Sequence, residues 1–465
     1  MGDYFFLMKA EWMIAGIIFF LLFIKISKGM TNETVLSMVQ ILLFIICIAG
    51  FFFNREGSLF DGMFINSSLI SFQKNILCLG VLIISLLFSD WLIKSQHMPE
   101  FFILMLSALL GMCLMISSGN LLLFFLSLEL STIPVAAMAN FDLDKKSSSE
   151  SAMKMILSSA FSSGILLFGI SLLYGATGTI RFSELPGLLT SSPLIILSFV
   201  FLFTAFAFKM SVVPFHLWTA DVYEGAPMAT TAFLSVISKG AVTFIFISTL
   251  YKVFQPLETV WYLMLVILSV ATIGTGNLFA VRQKNIKRFL AFSSIAQIGF
   301  ILLGISSNSA SGTSSAVYFV LIYVFSNLAA FGIASIISSF SGKENIDDYK
   351  GLYQTNPFLC WVMALSLFSL AGIPPTAGFF GKLYLLTAGA SRGNFWIIAF
   401  AALNMIISLY YYLRIVRSMF MEKNEQPVQK IRASVSERLA LIFCSAAILL
   451  AGITPWIYEY IHALK

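Results

Sequence analysis

Residues 192–219 read SPLIILSFVFLFTAFAFKMSVVPFHLWT, an apolar run that holds one lysine, Lys209, and is interrupted by Pro214. About 20 apolar residues in a helix cross the roughly 30 Å hydrocarbon layer of a bilayer. An ionisable group at that depth costs about 2.5–3.5 kcal/mol on insertion scales, so few are kept without a use. The run therefore predicts a broken membrane-spanning helix with a functional lysine.

The rest of the chain has the same character. Of its 465 residues, 59% are hydrophobic and 11% are charged, and the mean hydropathy is +0.92, whereas about one quarter of an average soluble domain is charged. The composition predicts an all-α polytopic membrane protein with about fourteen transmembrane helices. The predicted spans are 11–27, 35–53, 75–93, 100–118, 119–138, 151–174, 192–219, 229–254, 259–280, 285–305, 313–340, 356–388, 394–420 and 438–460.

Basic residues are distributed unequally between alternate loops. One set of loops holds Lys25, Lys28, Lys94, Lys145, Lys146, Arg282, Lys284, Lys287, Arg288, Lys343, Lys350, Arg414, Arg417, Lys423, Lys430, Arg432 and Arg438. The other set holds Arg55, Lys74, Arg181, Lys252 and Arg392. Because cytoplasmic loops are enriched in Lys and Arg, the first set is predicted to be cytoplasmic and both termini to lie outside. The first span is expected to act as its own insertion signal, since no signal peptide is evident.

Five ionisable residues are predicted to lie inside the membrane: Glu129, Lys154, Lys209, Lys239 and Lys382. Intramembrane ionisable residues typically mark ion or proton paths. Two have a simpler interpretation as well. Glu129 could form a purely structural salt bridge, and Lys154 is close enough to the cytoplasmic end of its span to extend to the surface.

Cysteine and histidine give no sign of a cofactor or metal site. The five cysteines lie in or beside apolar runs without CxxC spacing, and the three histidines are scattered. Both patterns argue against a metal, iron–sulfur or disulfide role. His216, close to the first break, fits a packing role and a role in proton relay equally well.

Two spans, the seventh and the twelfth, are predicted to be broken. Pro214 interrupts one, and Pro374 and Pro375 interrupt the other 160 residues later (374 − 214). A proline removes a backbone hydrogen bond, which lipid tolerates only where protein or water satisfies the freed groups. The breaks are therefore expected to be hydrated.

A similar spacing relates other segments and suggests duplication. SAMKMILSSAFSSGILLFGISLL, from residue 151, aligns with SSAVYFVLIYVFSNLAAFGIASII, from residue 314, with Ala152 matching Ala316 and Phe161 matching Phe325 at an offset of 164. Helices 4–8 and 9–13 would then be two inverted five-helix repeats, an architecture in which ion paths lie at broken helices. The expected division is 1–99 for helices 1–3, 100–254 and 255–420 for the repeats, and 421–465 for a loop and helix 14.

Several motifs carry a family resemblance. FKMSVVPFHLWTADVYEGAP (208–227) and TAFLSVISKGA (231–241) resemble the subunit N family of bacterial NADH-quinone oxidoreductase, respiratory complex I. LYGATGT (173–179), RQKNIKRFLAFSSIAQIGFILLGI (282–305) and LAGIPPTAGFFGKLYLL (370–386) extend the match. The DVYEGAP segment favours this family over the sister subunits L and M and over Mrp-type antiporters.

The resemblance implies a role for each intramembrane residue. Glu129 is similar to the family's fifth-helix glutamate, which pairs with a seventh-helix lysine, here Lys209. Lys154, Lys239 and Lys382 resemble the sixth-, eighth- and twelfth-helix lysines. Together they imply a proton path that ends outside beyond Lys382.

The chain departs from the family pattern at Gln297, where many relatives have a histidine. An amide cannot take up a proton, so Gln297 can only order water if the path passes it.

The resemblance also implies the setting. The chain would be a proton-translocating subunit of the bacterial inner membrane that binds no cofactor or metal and no nucleic acid. NADH, FMN, iron–sulfur clusters and quinone would be bound by partner subunits, with subunit M and the small membrane subunits as neighbours. The alternative is an Mrp-type cation/proton antiporter. A quinone-binding redox enzyme is disfavoured because no cofactor motif is present.

Overall fold

The computed structural model describes residues 2–27, 29–52, 54–424 and 428–464. Lys28, which contributed to the charge comparison, lies outside the described residues. Thirteen helices of the described chain are long and apolar enough to cross a membrane. Two shorter helices separated by a break, Pro357–Ala371 and Ala377–Ala390, form a fourteenth span. The prediction of an all-α polytopic membrane protein is confirmed.

The long helices follow one another through short connections. They are α2 (Lys9–Ser27), α3 (Asn32–Phe51), α4 (Ser68–Leu87), α6 (Met98–Ile116), α7 (Leu121–Ala139), α8 (Lys146–Thr177), α9 (Pro193–Met210), α11 (Met228–Phe233) continued by α12 (Lys239–Ser248), α13 (Glu258–Arg282), α14 (Ile286–Ile305), α15 (Ala310–Ser341), α19 (Phe395–Met421) and α20 (Val435–Ile453). The π-helical turns Leu234–Ser238 and Thr249–Val253 join and extend α11 and α12 into one continuous span.

The remaining elements are short. The helices are α1 (Gly2–Leu7), α5 (Ser89–Lys94), α10 (Leu217–Gly225), α16 (Leu352–Thr355), α17 (Pro357–Ala371), α18 (Ala377–Ala390) and α21 (Trp456–Ala463). Three 3₁₀ turns lie at Leu185–Gly187, Gln255–Leu257 and Ile346–Tyr349. Strands β1 (Gly57–Leu59) and β2 (Phe64–Asn66) form one antiparallel hairpin, which the sequence did not predict.

Both predicted breaks are present. The helix α9 ends at Met210, Ser211 adopts a left-handed conformation with φ 63°, and α10 begins only at Leu217. The helix α17 ends at Ala371, followed by Gly372 with φ 85°, where the lack of a Cβ removes the steric penalty. The continuous helix of the seventh span thus ends at Met210, before the predicted end at 219, and α10 follows the break as a separate short helix.

The two halves of the chain share other features at nearly the same spacing. The helices α8 and α15 both have 32 residues, start 164 residues apart (310 − 146) and end at a left-handed glycine. Asparagine side chains cap α7 and α14, at Asn120 and Asn285. Each of these asparagines forms a β-bridge to the segment that follows α8 or α15, at Arg181 and Asn345 respectively.

The centre of the bundle is formed by α14, α15 and the span Met228–Val253. In the apolar 18-residue stretch of each helix, 94% of the residues of α14, 100% of those of α15 and 89% of those of Met228–Val253 are buried. The corresponding share for α2 is 22%. The helix α15 packs against α4, α17, α18 and α20. Lys239 therefore lies on a central helix, whereas the N-terminal helices lie at the periphery.

The assignment of Lys74 to a loop was wrong. The helix α4 begins at Ser68, capped by Ser67, so Lys74 lies almost two turns inside it. Its Nζ is 2.6 Å from Glu11 Oε1 of α2, and both side chains are 4% exposed. Hydropathy placed the start of the span too late because polar residues, Gln73, Lys74 and Asn75, fill the second turn. The described chain thus contains a buried ion pair that the sequence did not reveal.

Because breaking a buried ion pair leaves an uncompensated charge, we expect Glu11→Ala to destabilise the protein by about 3–5 kcal/mol. The charge-reversed double variant Glu11→Lys with Lys74→Glu should recover most of this loss. Thermal denaturation of the purified protein in detergent would measure both effects. Equal denaturation temperatures for wild type and Glu11→Ala would contradict the expectation.

Candidate functional site

Glu129 and Lys209 each bond to a hydroxyl group. Ser163 of α8 donates a hydrogen bond to the half-buried Glu129 carboxylate of α7. Lys209, 9% exposed at the end of α9, donates to Thr132 Oγ1, one turn along α7 from Glu129. The charges of Glu129 and Lys209 also interact electrostatically. Within the described residues the expected pair is therefore an open one, in which Lys209 bonds to a hydroxyl group on the helix that carries Glu129.

Lys239 lies at the middle of the central span, directly after the π-helical turn Leu234–Ser238. Such turns widen the helix and occur frequently at functional sites. The ammonium group is 2% exposed and donates a hydrogen bond of 2.7 Å to Ser294 Oγ of α14. The Tyr223 ring of α10 lies 5.5 Å from Lys239 Nζ. No carboxylate pairs with this lysine in the described part of the chain. The groups that interact with its charge include the Ser294 hydroxyl, the Tyr223 ring and the His216 imidazole.

Lys382 of α18 is fully buried at the second break. Its Nζ donates to the carbonyl oxygens of Leu370 at 2.7 Å and Ala371 at 3.3 Å, which are the last two residues of α17. Carbonyl groups at a helix C-terminus lack intrahelical partners and carry partial negative charge. The break thus supplies the ligands for the lysine, and the Phe300 ring lies 4.9 Å from its Nζ.

Gln297 connects the surroundings of these two lysines. Its Nε2 donates to Leu370 O at 3.0 Å, the same carbonyl that accepts from Lys382, and to Tyr412 Oη at 3.2 Å. Tyr412 shares a hydrogen bond with Ser293, the residue before Ser294. Polar groups therefore continue from Lys239 to Lys382 through α14, α19 and the end of α17.

Lys154 is separated from the other lysines. Its side chain is 43% exposed and forms ion pairs with Glu150 at 2.7 Å and with Asp221 of α10 at 2.8 Å. Arg288 of α14 contacts Asp221 at 2.8 Å and Glu224 at 2.7 Å. We call the side of the bundle where these charges lie the basic side. Lys154 thus belongs to a surface network that holds α10, not to the buried row.

A second ion pair on the basic side joins Lys287 to Glu344, with 2.8 Å between Nζ and Oε1. Burial raises the pKa of the Glu344 carboxyl, but the Lys287 charge and hydrogen bonds from Asn285 and Ser338 together outweigh burial and lower the pKa below 4.5. The carboxylate is therefore ionised at neutral pH.

The proline and histidine candidates lie at the breaks. Pro214 and His216 are in the segment between α9 and α10, and His216 is 8% exposed. Pro374 and Pro375 are between α17 and α18. Trp218 Nε1 donates to Phe208 O at 3.1 Å and so satisfies one carbonyl freed at the first break.

The chain is similar to known proteins over nearly its full length. The family described as NADH:quinone oxidoreductase/Mrp antiporter, TM, matches residues 118–408. NADH-quinone oxidoreductase subunit N of Phocaeicola vulgatus is 44% identical over 456 residues, which cover 97% of each chain. This chain belongs to the subunit N family. The resemblance noted in the sequence is confirmed.

Solved structures agree with this membership of the subunit N family. A chain of respiratory complex I from Thermus thermophilus with bound aureothin has a TM-score of 0.82 and 26% identity, with coverage of 96% of this chain and 97% of that one. A chain of the Mrp complex from Dietzia sp. DQ12-45-1b has a TM-score of 0.88 at 19% identity, covering 98% and 96%. The second likeness shows a shared fold only.

Several residues of the site were missed by sequence reasoning. Thr132, Ser163, Ser294 and Tyr412 bind or connect the ionisable groups of this subunit N family member. A hydroxyl group inside a span is common because it can bond to its own helix backbone. Only its partner across the bundle distinguishes a path residue, and that partner requires the three-dimensional structure.

Gln297 offers a test of the connection. Gln297→Leu removes both hydrogen bonds and should destabilise the protein by about 1–3 kcal/mol, because buried groups lose their partners. If protons pass this point, the variant should also slow proton transfer, whereas Gln297→His, which keeps a donor near Leu370, should not. Proton uptake by membrane vesicles would compare the two. Equal rates in both variants would contradict a role in proton transfer.

Proposed function

We propose that the chain is the proton-translocating subunit N of a bacterial NADH-quinone oxidoreductase. The observation that carries the proposal is the row of buried polar groups between Lys239 and Lys382. It runs from Ser294, which Lys239 binds, through the adjacent Ser293 to Tyr412 and Gln297, and ends at the Leu370 carbonyl that Gln297 and Lys382 share. Ionisable groups inside the membrane typically belong to transport paths, and this connection supplies such a path. Family membership with 44% identity to a named subunit N supports the same function.

The proposed path uses the buried lysines in sequence. A proton held at Lys209 moves to Lys239, then through the hydroxyl groups of α14 and α19 to Lys382, and leaves on the side opposite the basic side. Hydroxyl and amide groups orient water along the way, since neither takes up a proton near neutral pH. Lys154 contributes at the surface, where protons are collected.

The open arrangement of Glu129 and Lys209 suggests how the path is driven. A buried ammonium is costly without a nearby carboxylate, and an approaching carboxylate lowers that cost. Movement of Glu129 past Thr132 toward Lys209 would retain the proton, and its withdrawal would release the proton to Lys239. Each charge moved against 100 mV takes about 2.3 kcal/mol, which must come from electron transfer in partner subunits.

The proposed architecture consists of two inverted five-helix repeats, residues 100–254 and 255–420, between helices 1–3 (1–99) and the C-terminal segment (421–465). The matching lengths of α8 and α15 and the matching caps and breaks support this division. An odd number of spans in each repeat makes their orientations opposite. The basic side would then be cytoplasmic, with both termini outside.

The proposed setting is the bacterial inner membrane. NADH, FMN, iron–sulfur clusters and quinone would be bound by partner subunits, and subunit M and the small membrane subunits would be neighbours. The Mrp complex chain has the same fold at 19% identity, so cation exchange without NADH is the competing function. Copurification of flavin- and iron–sulfur-containing partners would support the complex I assignment.

Lys239→Met in the assembled complex is expected to abolish proton translocation through this subunit, because the row loses its central proton carrier. The matched control is Lys252→Met, the same substitution at an exposed position of the same span. NADH oxidation and the pH gradient would be measured together in inverted vesicles. Unchanged gradients in Lys239→Met, or NADH-independent Na⁺ or K⁺ exchange in wild type, would overturn the proposal.

A further inference from the structure

A polar cavity of about 720 Å³ lies at the basic side, between α5, α10, α15 and α20. Charged side chains from α5, α10, α14, α20 and the segment after α15 line it, with Asp90, Glu224, Glu344 and Glu437 as acids and Lys94 and Lys287 among the bases. Ser335 of α15 lines its inner part. A cavity with this lining can hold several waters. The cavity could therefore supply protons to a path that leads into the membrane.

A cluster of buried polar side chains lies deeper in the bundle, beside Lys239. Asn327 Nδ2 donates to Ser235 Oγ at 2.7 Å and to Tyr323 Oη at 2.8 Å. Ser235 shares a hydrogen bond of 3.1 Å with Tyr323 and lies one turn before Lys239. Asn327 Oδ1 is buried and has no partner among the described residues, which leaves an acceptor for water.

An aromatic pair separates the cavity from this cluster. Tyr323, Asn327, Phe331 and Ser335 follow one another at four-residue intervals on α15, so they share a helix face. Phe331 thus lies between Asn327 and the cavity-lining Ser335. It is fully buried, and its ring contacts the ring of Tyr223 with 6.4 Å between centroids. Phe331 is thus an apolar residue between two polar ones, and its ring packs against a residue of α10.

We propose that Phe331 and Tyr223 form the gate through which protons reach Lys239 from the cavity at the basic side. An apolar constriction stops a chain of water until its walls separate. Tyr223 also contacts Lys239, so one side chain of α10 touches both the constriction and the central lysine. The inference rests on the proposed function, in which Lys239 also receives protons from Lys209, and it adds a second inlet with its own gate.

The surface network supplies the control of this gate. Lys154 and Arg288 hold Asp221, two residues before Tyr223, and Lys287 Nζ donates to the Glu224 carbonyl, one residue after it. Lys287 is buried, but the side chains of Lys154, Asp221 and Arg288 are partly exposed, and ion pairs at the surface contribute about 0–1 kcal/mol each. Breaking and remaking them is therefore easy, and α10 can shift Tyr223 away from Phe331. Lys154 acts in this way as a positioning residue.

Phe331→Ser tests the gate in the assembled complex. A hydroxyl group in place of the ring keeps the constriction wet, so Lys239 stays connected to the basic side and returns the protons that it receives. We expect a loss of the pH gradient formed per NADH oxidised while quinone reduction continues. Phe331→Trp fills the constriction further, and we expect it to slow NADH oxidation without changing protons moved per NADH.

The matched control is Phe325→Ser, the same substitution at a buried position of α15 that packs against Phe443 of α20. It should leave protons moved per NADH at the wild-type value. A wild-type ratio in Phe331→Ser, with Lys239→Met inactive in pumping, would overturn the gate but keep the proposed function. Unchanged pumping in Lys239→Met would overturn the function itself. If Phe331→Ser does not assemble, a tryptophan variant with wild-type NADH oxidation overturns the gate.

Discussion

The hydrogen bonds from Lys382 to the last carbonyls of α17 satisfy two kinds of group that are unfavourable in a membrane interior. A broken helix exposes backbone carbonyls, and a buried lysine exposes a charge, and each would be unfavourable alone in lipid. Together the carbonyl oxygens become ligands of the ammonium group. The break and the lysine therefore depend on each other, and neither can be removed without leaving the other unsatisfied.

The first break satisfies its backbone differently. Trp218 donates to the Phe208 carbonyl, while Lys209 turns away to Thr132. The two breaks thus share a backbone design but bind their lysines in different ways. At the first break the lysine bonds to a hydroxyl group and interacts electrostatically with a carboxylate, whereas at the second break it bonds to backbone carbonyls. The two similar halves of the chain therefore hold their lysines in chemically different surroundings.

Buried charges and broken helices, which are unfavourable in lipid, could be predicted from the sequence. Polar groups that lipid-embedded helices accommodate easily could not. Lys209, Lys239, Lys382 and both breaks could be identified because each violates the apolar pattern. The Glu11–Lys74 pair was hidden because polar residues near a helix start resemble a loop. Ser294 and Tyr412 were not recognisable as part of a connection, and Gln297 was singled out only through the family resemblance, since their roles depend on which helices α14 and α19 face. Such neighbours are fixed by packing between segments 55 to 119 residues apart, which no local pattern encodes.

Burial also indicates which part of the bundle can move. The central helices α14 and α15 are enclosed on all sides, so shifting them would disturb a close-packed core. The helix α10 has nine residues, follows a break, and is held at the basic side by ion pairs that are partly exposed to solvent. Its outer contacts are therefore weak, whereas its inner side packs against α8 and α14 and carries Tyr223 against both Phe331 and Lys239. A short helix with strong contacts at its inner side and weak ones at its outer side can transmit a surface rearrangement to a buried charge.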